Sequence, residues 1–238
     1  PMGAHFKVEQ TGRLAWKTLV TDVEFGFDGH AYISDWVNGW AMTGKGRIYR
    51  IANPNQTLSK APSVEELFRK GFDEINAHGL RNLLSHADMR VRQAAQFQLV
   101  ANCDTKSLAG IARQGQGLAR LHAVWGLGQL ARDGQNQDAA LAPLLSDTNG
   151  EVQTQAAKML GEARSETAVP GLVMLLGSDN ARGQSQAAIA LSKIGGDYTD
   201  AVVAMLRRND DSDPIVRHGG IMALQALGNA LPVTRLSQ

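Results

Sequence analysis

The stretch VQTQAAKML at residues 152–160 decides the fold, because it recurs in recognisable form along most of the chain. A small residue stands four positions before its final leucine, so both lie on one side of an α-helix. Final leucines of successive copies are 28, 33, 31 and 33 residues apart, a period typical of stacked helical units. The related copies are VRQAAQFQL (91–99), ARLHAVWGL (119–127), GQSQAAIAL (183–191) and VRHGGIMAL (216–224).

A first helix is predicted before most copies, from leucines at Leu83-Leu84, Leu144-Leu145, Leu175-Leu176 and Leu206. Turns rich in Asp, Ser, Asn and Gly then separate the two helices of a unit. No single helical pair can bury both of its faces, so the pairs are expected to stack. The pattern resembles short HEAT-like repeats over residues 79–229. We therefore predict a mainly α fold, an α-solenoid of about five HEAT-like helical hairpins over residues 79–238.

The front of the chain has a different composition, with ten of the 13 aromatic residues in residues 1–78. Alternation in DVEFGF (22–27) predicts a strand, and Asp28-Gly29 predicts a tight hairpin turn. Further strands are predicted in HAYISDW (30–36), RIYRIA (47–52) and LAWKTLV (14–20). We expect a small antiparallel β domain over residues 1–53. A linker and a capping helix are expected over residues 54–78, with the helix itself in residues 64–79.

This front segment resembles the closing blade of the six-bladed propeller in glucose/sorbosone-dehydrogenase-like proteins. The matching residues are Asp28-Gly29, Tyr32, Asp35-Trp36 and the run Gly46-Arg47-Ile48-Tyr49-Arg50. In particular, the segment is similar to large bacterial proteins in which such a propeller precedes HEAT repeats and a c-type haem domain. The resemblance implies a partial blade whose companion blades lie outside this sequence, and a periplasmic or exported location. It implies a quinone cofactor and haem c in a full-length parent. No Cys-x-x-Cys-His occurs here, so no c-type haem is expected to attach. The quinone pocket of the relatives needs the other blades, so no cofactor is expected in this chain.

Charge and composition exclude several classes of function. The chain has 24 Lys+Arg and 23 Asp+Glu, evenly spread, so no concentrated positive field is available for nucleic acid. A single cysteine, Cys103, cannot form an intrachain disulfide or a Cys-rich metal site, and no metal is expected. The sequence has no apolar run of about 18 residues, the length that a membrane-spanning helix needs. The expected partner is a protein or another domain of the parent chain.

Two sets of residues are candidates for function. The long polar position seven residues before each final leucine could line a binding face, or bond the turn of the neighbouring repeat through Asp88, Asp147 or Asp213. The second set lies in the loops of the β segment. In propeller relatives, residues near such loops can border the central channel. The alternative is that the aspartate caps a turn and the tryptophans pack between blades. The first set is Arg92, Arg120, Gln153, Gln184 and Arg217; the second is Asp28, Asp35, Trp36 and Trp40.

Three functions remain open from the sequence. The first is a HEAT-repeat interaction or scaffold module, itself non-catalytic, attached to the last blade of a dehydrogenase-like propeller. The second is a piece of a quinoprotein-type sugar or alcohol dehydrogenase linked to a haem domain. The third follows from the repeats alone, which also resemble those of phycobilin lyases.

Overall fold

The computed structural model describes residues 3–4, 6–37, 44–52 and 64–227. Within it the chain forms two compact units, one of residues 8–74 and one of residues 1–7 with 75–238. This division does not test the predicted domain boundaries after residues 53 and 78, which stay a prediction. Most of the predicted linker, residues 54–63, lies outside the described residues, as does the chain after residue 227.

The unit of residues 8–74 contains a three-stranded antiparallel sheet in the order β1-β2-β3. The central strand places Ile33 opposite Val23 on one side and opposite Tyr49 on the other, and Ile33 is buried. The predicted turn at Asp28-Gly29 connects the first two strands, with Gly29 at the positive φ of 77° that favours glycine. The strands are β1 (Val20–Phe25), β2 (Ala31–Asp35) and β3 (Arg47–Ile51).

The predicted fourth strand in residues 14–20 is wrong apart from Val20, which begins β1. The preceding residue, Leu19, donates its N–H to Asp35 Oδ1 at 2.9 Å and accepts from the Trp36 N–H at 3.0 Å. These two bonds hold the chain at the end of β2. The Leu19 N–H therefore bonds a side-chain carboxylate, not the backbone carbonyl of a neighbouring strand that a regular β ladder would provide.

The single helix predicted over residues 64–79 is also wrong, because the structure has two shorter helices there. The first, α1 (Val64–Lys70), stops before Gly71, which has a φ of 84°. Its Phe68 ring stacks on Phe27, which follows β1 in the same unit of residues 8–74 (the β unit), at a centroid distance of 4.7 Å. The second, α2 (Ala77–Leu83), begins anew because the side chain of Asn76 accepts from the Gly79 N–H at 2.9 Å.

From α2 onward, the described helices form five consecutive pairs. The chain is therefore mainly helical, as predicted. Each pair consists of a first helix, a polar turn and a second helix that carries one copy of the repeat. In the third pair, the first helix is a short α-turn followed by a 3₁₀ segment, Ala142–Ser146, that includes Pro143. The pairs are α2 with α3 (Met89–Ala101), α4 (Thr105–Gln114) with α5 (Gly117–Arg132), α6 (Asp138–Leu141) with α7 (Gly150–Glu162), α8 (Val169–Leu176) with α9 (Ala181–Ile194), and α10 (Thr199–Asn209) with α11 (Pro214–Ala226).

The repeated leucine and small residue form the spine of the helical core. All five final leucines are buried, and so is each small residue four positions earlier. The close approach that the small residue allows is visible at Gly220 in α11. A Cβ added there would lie 2.6 Å from Leu206 Cδ2 of α10, inside van der Waals contact.

The second helices form one row, in which each packs on the next. From α5 onward, glycines bring their backbones together. A Cβ on Gly128 would overlap Met159, one on Gly161 would lie 2.5 Å from Ala190 Cβ, and one on Gly219 would meet Ser185. The first junction, between α3 and α5, instead contains buried polar side chains, which are described below.

Candidate functional site

The repeat creates a second periodic surface, two positions before each final leucine. Side chains at this position are exposed or half-buried, although four of the five are apolar. The position eight before the leucine, by contrast, is buried in every copy, so the repeat has one core face and one solvent face. The five solvent-facing residues are Phe97, Trp125, Lys158, Ile189 and Met222.

A further position lies about two helical turns earlier and therefore on the same side of each second helix. It is occupied by Arg90, Leu118, Glu151, Arg182 and Ile215, of which Leu118 is 51% exposed and Ile215 41%. We call the surface made by these two sets of positions the second-helix face. It combines exposed aliphatic and aromatic groups with charges of both signs, a composition typical of protein-binding surfaces.

Hydrogen bonds between consecutive second helices fix the middle of this face. Trp125 Nε1 on α5 donates to Gln155 Oε1 on α7 at 2.8 Å, and Gln155 Nε2 donates to Glu151 at 2.8 Å. Glu151 is in turn ion-paired with Arg182 on α9. The three helices thus share one chain of polar contacts, which holds the Trp125 ring in place and limits the entropy lost on binding a partner.

A buried polar cluster lies at the junction of α3 and α5, next to this face. His122 Nδ1 is 2.7 Å from Gln96 Oε1, and His122 Nε2 is 3.3 Å from Arg92 Nε. Because an amide oxygen accepts and a guanidinium donates, these contacts assign the neutral Nδ1–H tautomer. Gln96 Nε2 extends the cluster to Gln129 at 2.9 Å. Burial, with the positive charge of Arg92, lowers the pKa of His122 from 6.5 to about 4.

The predicted long polar residues seven positions before each final leucine bond turns. Arg120 on α5 bonds the turn of the next repeat, where its guanidinium donates to both carboxylate oxygens of Asp147. It also donates to Ala112 O at 2.7 Å, so it links two helical pairs. Each of the other four bonds the residue six positions earlier: Arg92 to His86 O, Gln153 to Asp147 O, Gln184 to Ser178 O, and Arg217 to the carboxylate of Asp211.

Of the three turn carboxylates named as partners, Asp147 accepts from Arg120 of the preceding repeat. Asp88 accepts from the Arg90 guanidinium, which lowers the pKa of its carboxyl group below the usual range. Asp213 caps α11 through Oδ1. A role in binding partners stays a prediction for Arg92, Arg120, Gln153, Gln184 and Arg217, since the bonds above serve the turns.

In the β unit, the candidate channel residues lie at two ends of β2. Asp28 accepts from the Tyr32 hydroxyl at 2.8 Å and from the His30 N–H, and the Tyr32 bond lowers the pKa of Asp28. Asp35, which is buried, accepts from the backbone N–H groups of Val37 and Leu19, and those bonds lower its pKa. Both carboxylates therefore support local backbone geometry.

A cavity of about 530 Å³ lies beside the far end of β2. Asp35, Trp36 and Lys45 are among its lining residues, while Asp28 is not. Trp40, the fourth candidate, lies outside the described residues. A role in a sugar-binding channel stays a prediction for Asp28, Asp35, Trp36 and Trp40.

Two kinds of site are absent from the described residues 3–4, 6–37, 44–52 and 64–227. These residues contain no group of three or more His, Cys, Asp or Glu side chains placed to share a metal ion. None of their helices is long and apolar enough to cross a lipid bilayer.

Comparison with known proteins defines the family. HEAT repeats match residues 106–182 and 138–225, which together span half of the chain. The chain belongs to the HEAT-repeat family. No curated protein matches it.

Sixteen chains of solved structures are similar to this one, and they include the following two. An engineered protein is 23% identical with a TM-score of 0.40, over 63% of this chain and 78% of that one. The complex of CpcE and CpcF of phycocyanin lyase from Nostoc sp. PCC7120 is 18% identical with a TM-score of 0.47. This second match covers 74% of this chain and 70% of that one. Similarities at this level transfer no activity to the chain.

Sequence reasoning missed the second-helix face, although its signal was present. Aligning the five copies on their final leucines places Phe97 and Trp125, two of the three aromatic residues after residue 78, in one column. The same column holds Ile189 and Met222. An apolar column outside the buried positions of a repeat is a surface signal.

Proposed function

We propose that this chain is a protein-interaction module that binds its partner through the second-helix face. The observation that carries the proposal is the column of exposed apolar side chains two positions before the final leucines, because isolated apolar groups are common on surfaces but aligned ones mark interfaces. Phe97 and Met222, at the two ends of the row, are 47% and 46% exposed. Trp125 lies between them, and tryptophan is enriched among residues that dominate binding energy.

The charges on this face set the chemistry of the partner. Arg90 on α3 and Arg182 on α9 flank Glu151, whose negative charge is partly neutralised by its ion pair with Arg182. The partner is accordingly a folded protein domain with an apolar patch and charges of both signs. A polyanion is disfavoured, because the face lacks a continuous run of positive charge.

Site-specific photocrosslinking tests the proposal. p-Benzoylphenylalanine is placed at Phe97 on the second-helix face, and at Met174, which is 73% exposed on the first helix α8, as the matched control. In extract of the source organism, the Phe97 variant is expected to crosslink one protein, and excess unmodified chain is expected to suppress that product. Equal crosslinking from Met174 would contradict the proposal.

Affinity for the crosslinked partner provides the quantitative test. Phe97→Ala is expected to weaken binding about tenfold, the effect of losing a moderate interface contact of more than about 1 kcal/mol. Met174→Ala serves as the control and is expected to leave affinity unchanged. A partner that binds both variants equally would place the interface elsewhere.

A second candidate is that the chain is part of a quinoprotein-type dehydrogenase in which the helical unit positions other domains. It is supported by the antiparallel order of β1, β2 and β3 and by the cavity beside Asp35 and Trp36. The test is the coding sequence on either side of this chain, which should encode further blades before it and Cys-x-x-Cys-His after it. The purified chain is expected to show no dye-linked sugar oxidation when supplied with a quinone cofactor. Turnover would place the active site in this chain.

A further inference from the structure

A groove of about 660 Å³ opens between the turns of the fourth and fifth helical pairs. The turn before α9 supplies Ser178 and Asp179 to its wall, and the turn before α11 supplies Ser212 and Asp213. The chain's own residue Gly3 completes the lining, although it is more than 170 residues away in sequence. This groove lies at the turns and is separate from the apolar column of the second-helix face.

One hydrogen bond anchors the chain's first residues in this groove. The Ala4 N–H donates to Asp213 Oδ2 at 2.7 Å, and both residues are buried. Asp213 divides its two oxygens between two tasks. Oδ1 caps α11 by accepting from Ile215 N at 2.9 Å and Val216 N at 3.3 Å, while Oδ2 accepts from Ala4.

The equivalent caps of other repeats show that a carboxylate is not needed for capping alone. Asn149 caps α7 and Asn180 caps α9, each with a single side-chain oxygen. The second carboxylate oxygen at Asp213 is thus additional to the repeat's requirement. In this structure it accepts from the backbone N–H of Ala4, and a charged acceptor makes that bond stronger than a neutral one.

The segment itself fits the groove through its sequence Gly-Ala-x-Phe at residues 3–6. Gly3 has a φ of 56°, and a Cβ there would lie 2.2 Å from Asp213 Oδ2, so only glycine allows the approach. Ala4 buries its methyl group. Phe6 then places its ring 5.5 Å from the guanidinium carbon of Arg182, a cation–π contact.

We propose that this groove is a peptide-docking site whose occupants are the chain's own residues Gly3, Ala4 and Phe6. Recognition uses three features: a glycine beside Asp213, a backbone N–H directed at Oδ2, and an aromatic residue two positions later beneath Arg182. The site would attach these residues to the turns of the fourth and fifth helical pairs. The site shares Arg182 with the second-helix face, whereas Asp213 and the turns that line the groove lie outside that face.

The exchange rate of the Ala4 amide proton with water, measured by NMR on the full chain, tests the docking. Gly3→Ala, which introduces the clashing Cβ, and Asp213→Asn, which keeps a capping oxygen, are each expected to speed this exchange. The increase should be on the order of tenfold to a hundredfold, as for loss of one hydrogen bond to a charged group. In Asp213→Asn the amides of Ile215 and Val216 should stay protected, because asparagine caps equivalent helices.

Two controls make the result specific. Phe6→Leu is expected to speed Ala4 exchange only about twofold, because the cation–π contact is exposed and worth little. Asp104→Asn changes a different helix-capping carboxylate, whose Oδ1 accepts from Ser107 N at 3.0 Å, and should not affect Ala4. Equal Ala4 exchange in the wild type and Gly3→Ala would overturn the proposal. Protection that increases with protein concentration would also overturn it, because a second copy would then be the occupant.

Discussion

Acidification is expected to weaken the junction between α3 and α5 through His122. Burial and Arg92 hold the pKa of this imidazole at about 4, against 6.5 for an ordinary histidine. The folded-state pKa is lowered, so the stabilising effect is complete above pH 6.5 and is lost as the pH falls from 6.5 towards 4. At pH 5.0 the unfolded histidine is mostly protonated while the folded one stays neutral. The interval of about 1.5 pH units below 6.5, at about 1.36 kcal/mol each, corresponds to about 2 kcal/mol of lost stability.

Urea-induced unfolding, followed by far-ultraviolet circular dichroism at pH 7.5 and 5.0, measures this loss. Other groups titrate in the same range, so His122→Gln is the matched control. Glutamine can donate to Gln96 and accept from Arg92, but it does not titrate. The free energy of unfolding should fall on the order of 2 kcal/mol further in the wild type than in His122→Gln. Equal falls, or an NMR titration of His122 with a midpoint near 6.5, would refute the assigned burial and hydrogen bonding.

Two further substitutions test the packing, and one double-mutant cycle tests an ion pair. Gly161→Ala should destabilise by about 1–3 kcal/mol in thermal or urea unfolding, because its Cβ would overlap Ala190. Gly110→Ala, in the middle of α4 with open space around it, should stabilise by about 0.5–1 kcal/mol, and a loss there would contradict the helix assignment. A double-mutant cycle on Arg120 and Asp147, both largely buried, should give a coupling of about 1–2 kcal/mol; additivity would mean that their contact does not join the second and third pairs.

The helical repeat was predictable because five copies repeat the same spacing. A leucine four residues after a small residue means little once, but five occurrences fix which side of each helix is buried. The first helices were less predictable, because the lengths of these helices and of the turns around them differ from one pair to the next. The 3₁₀ segment with Pro143 and the break at Gly71 depend on single residues that no other repeat copies.

The side-chain contacts between repeats were beyond the sequence, and so was most of the candidate site. The bond between Trp125 and Gln155 depends on how far α7 is shifted relative to α5, which is set by the turns and α6 between them. The burial of His122 likewise depends on Gln96 and Arg92 of the previous repeat. In the β unit, residues 14–19 form no strand, and Leu19 donates its N–H to the Asp35 carboxylate. The alternation of apolar and polar residues does not predict such a side-chain contact.

The difference between the first junction and the later ones makes the helical array uneven. Glycine contacts join α5, α7, α9 and α11 backbone to backbone, whereas the junction of α3 with α5 contains a hydrogen-bonded cluster around a neutral imidazole. In a linear array, the weakest boundary separates first. Mild acid should therefore fray the solenoid from its α3 end, leaving four stacked pairs intact, and Phe97 would detach from the face while Trp125 stayed. A partner that needs both aromatic rings would then be released in mildly acidic surroundings and recaptured on neutralisation.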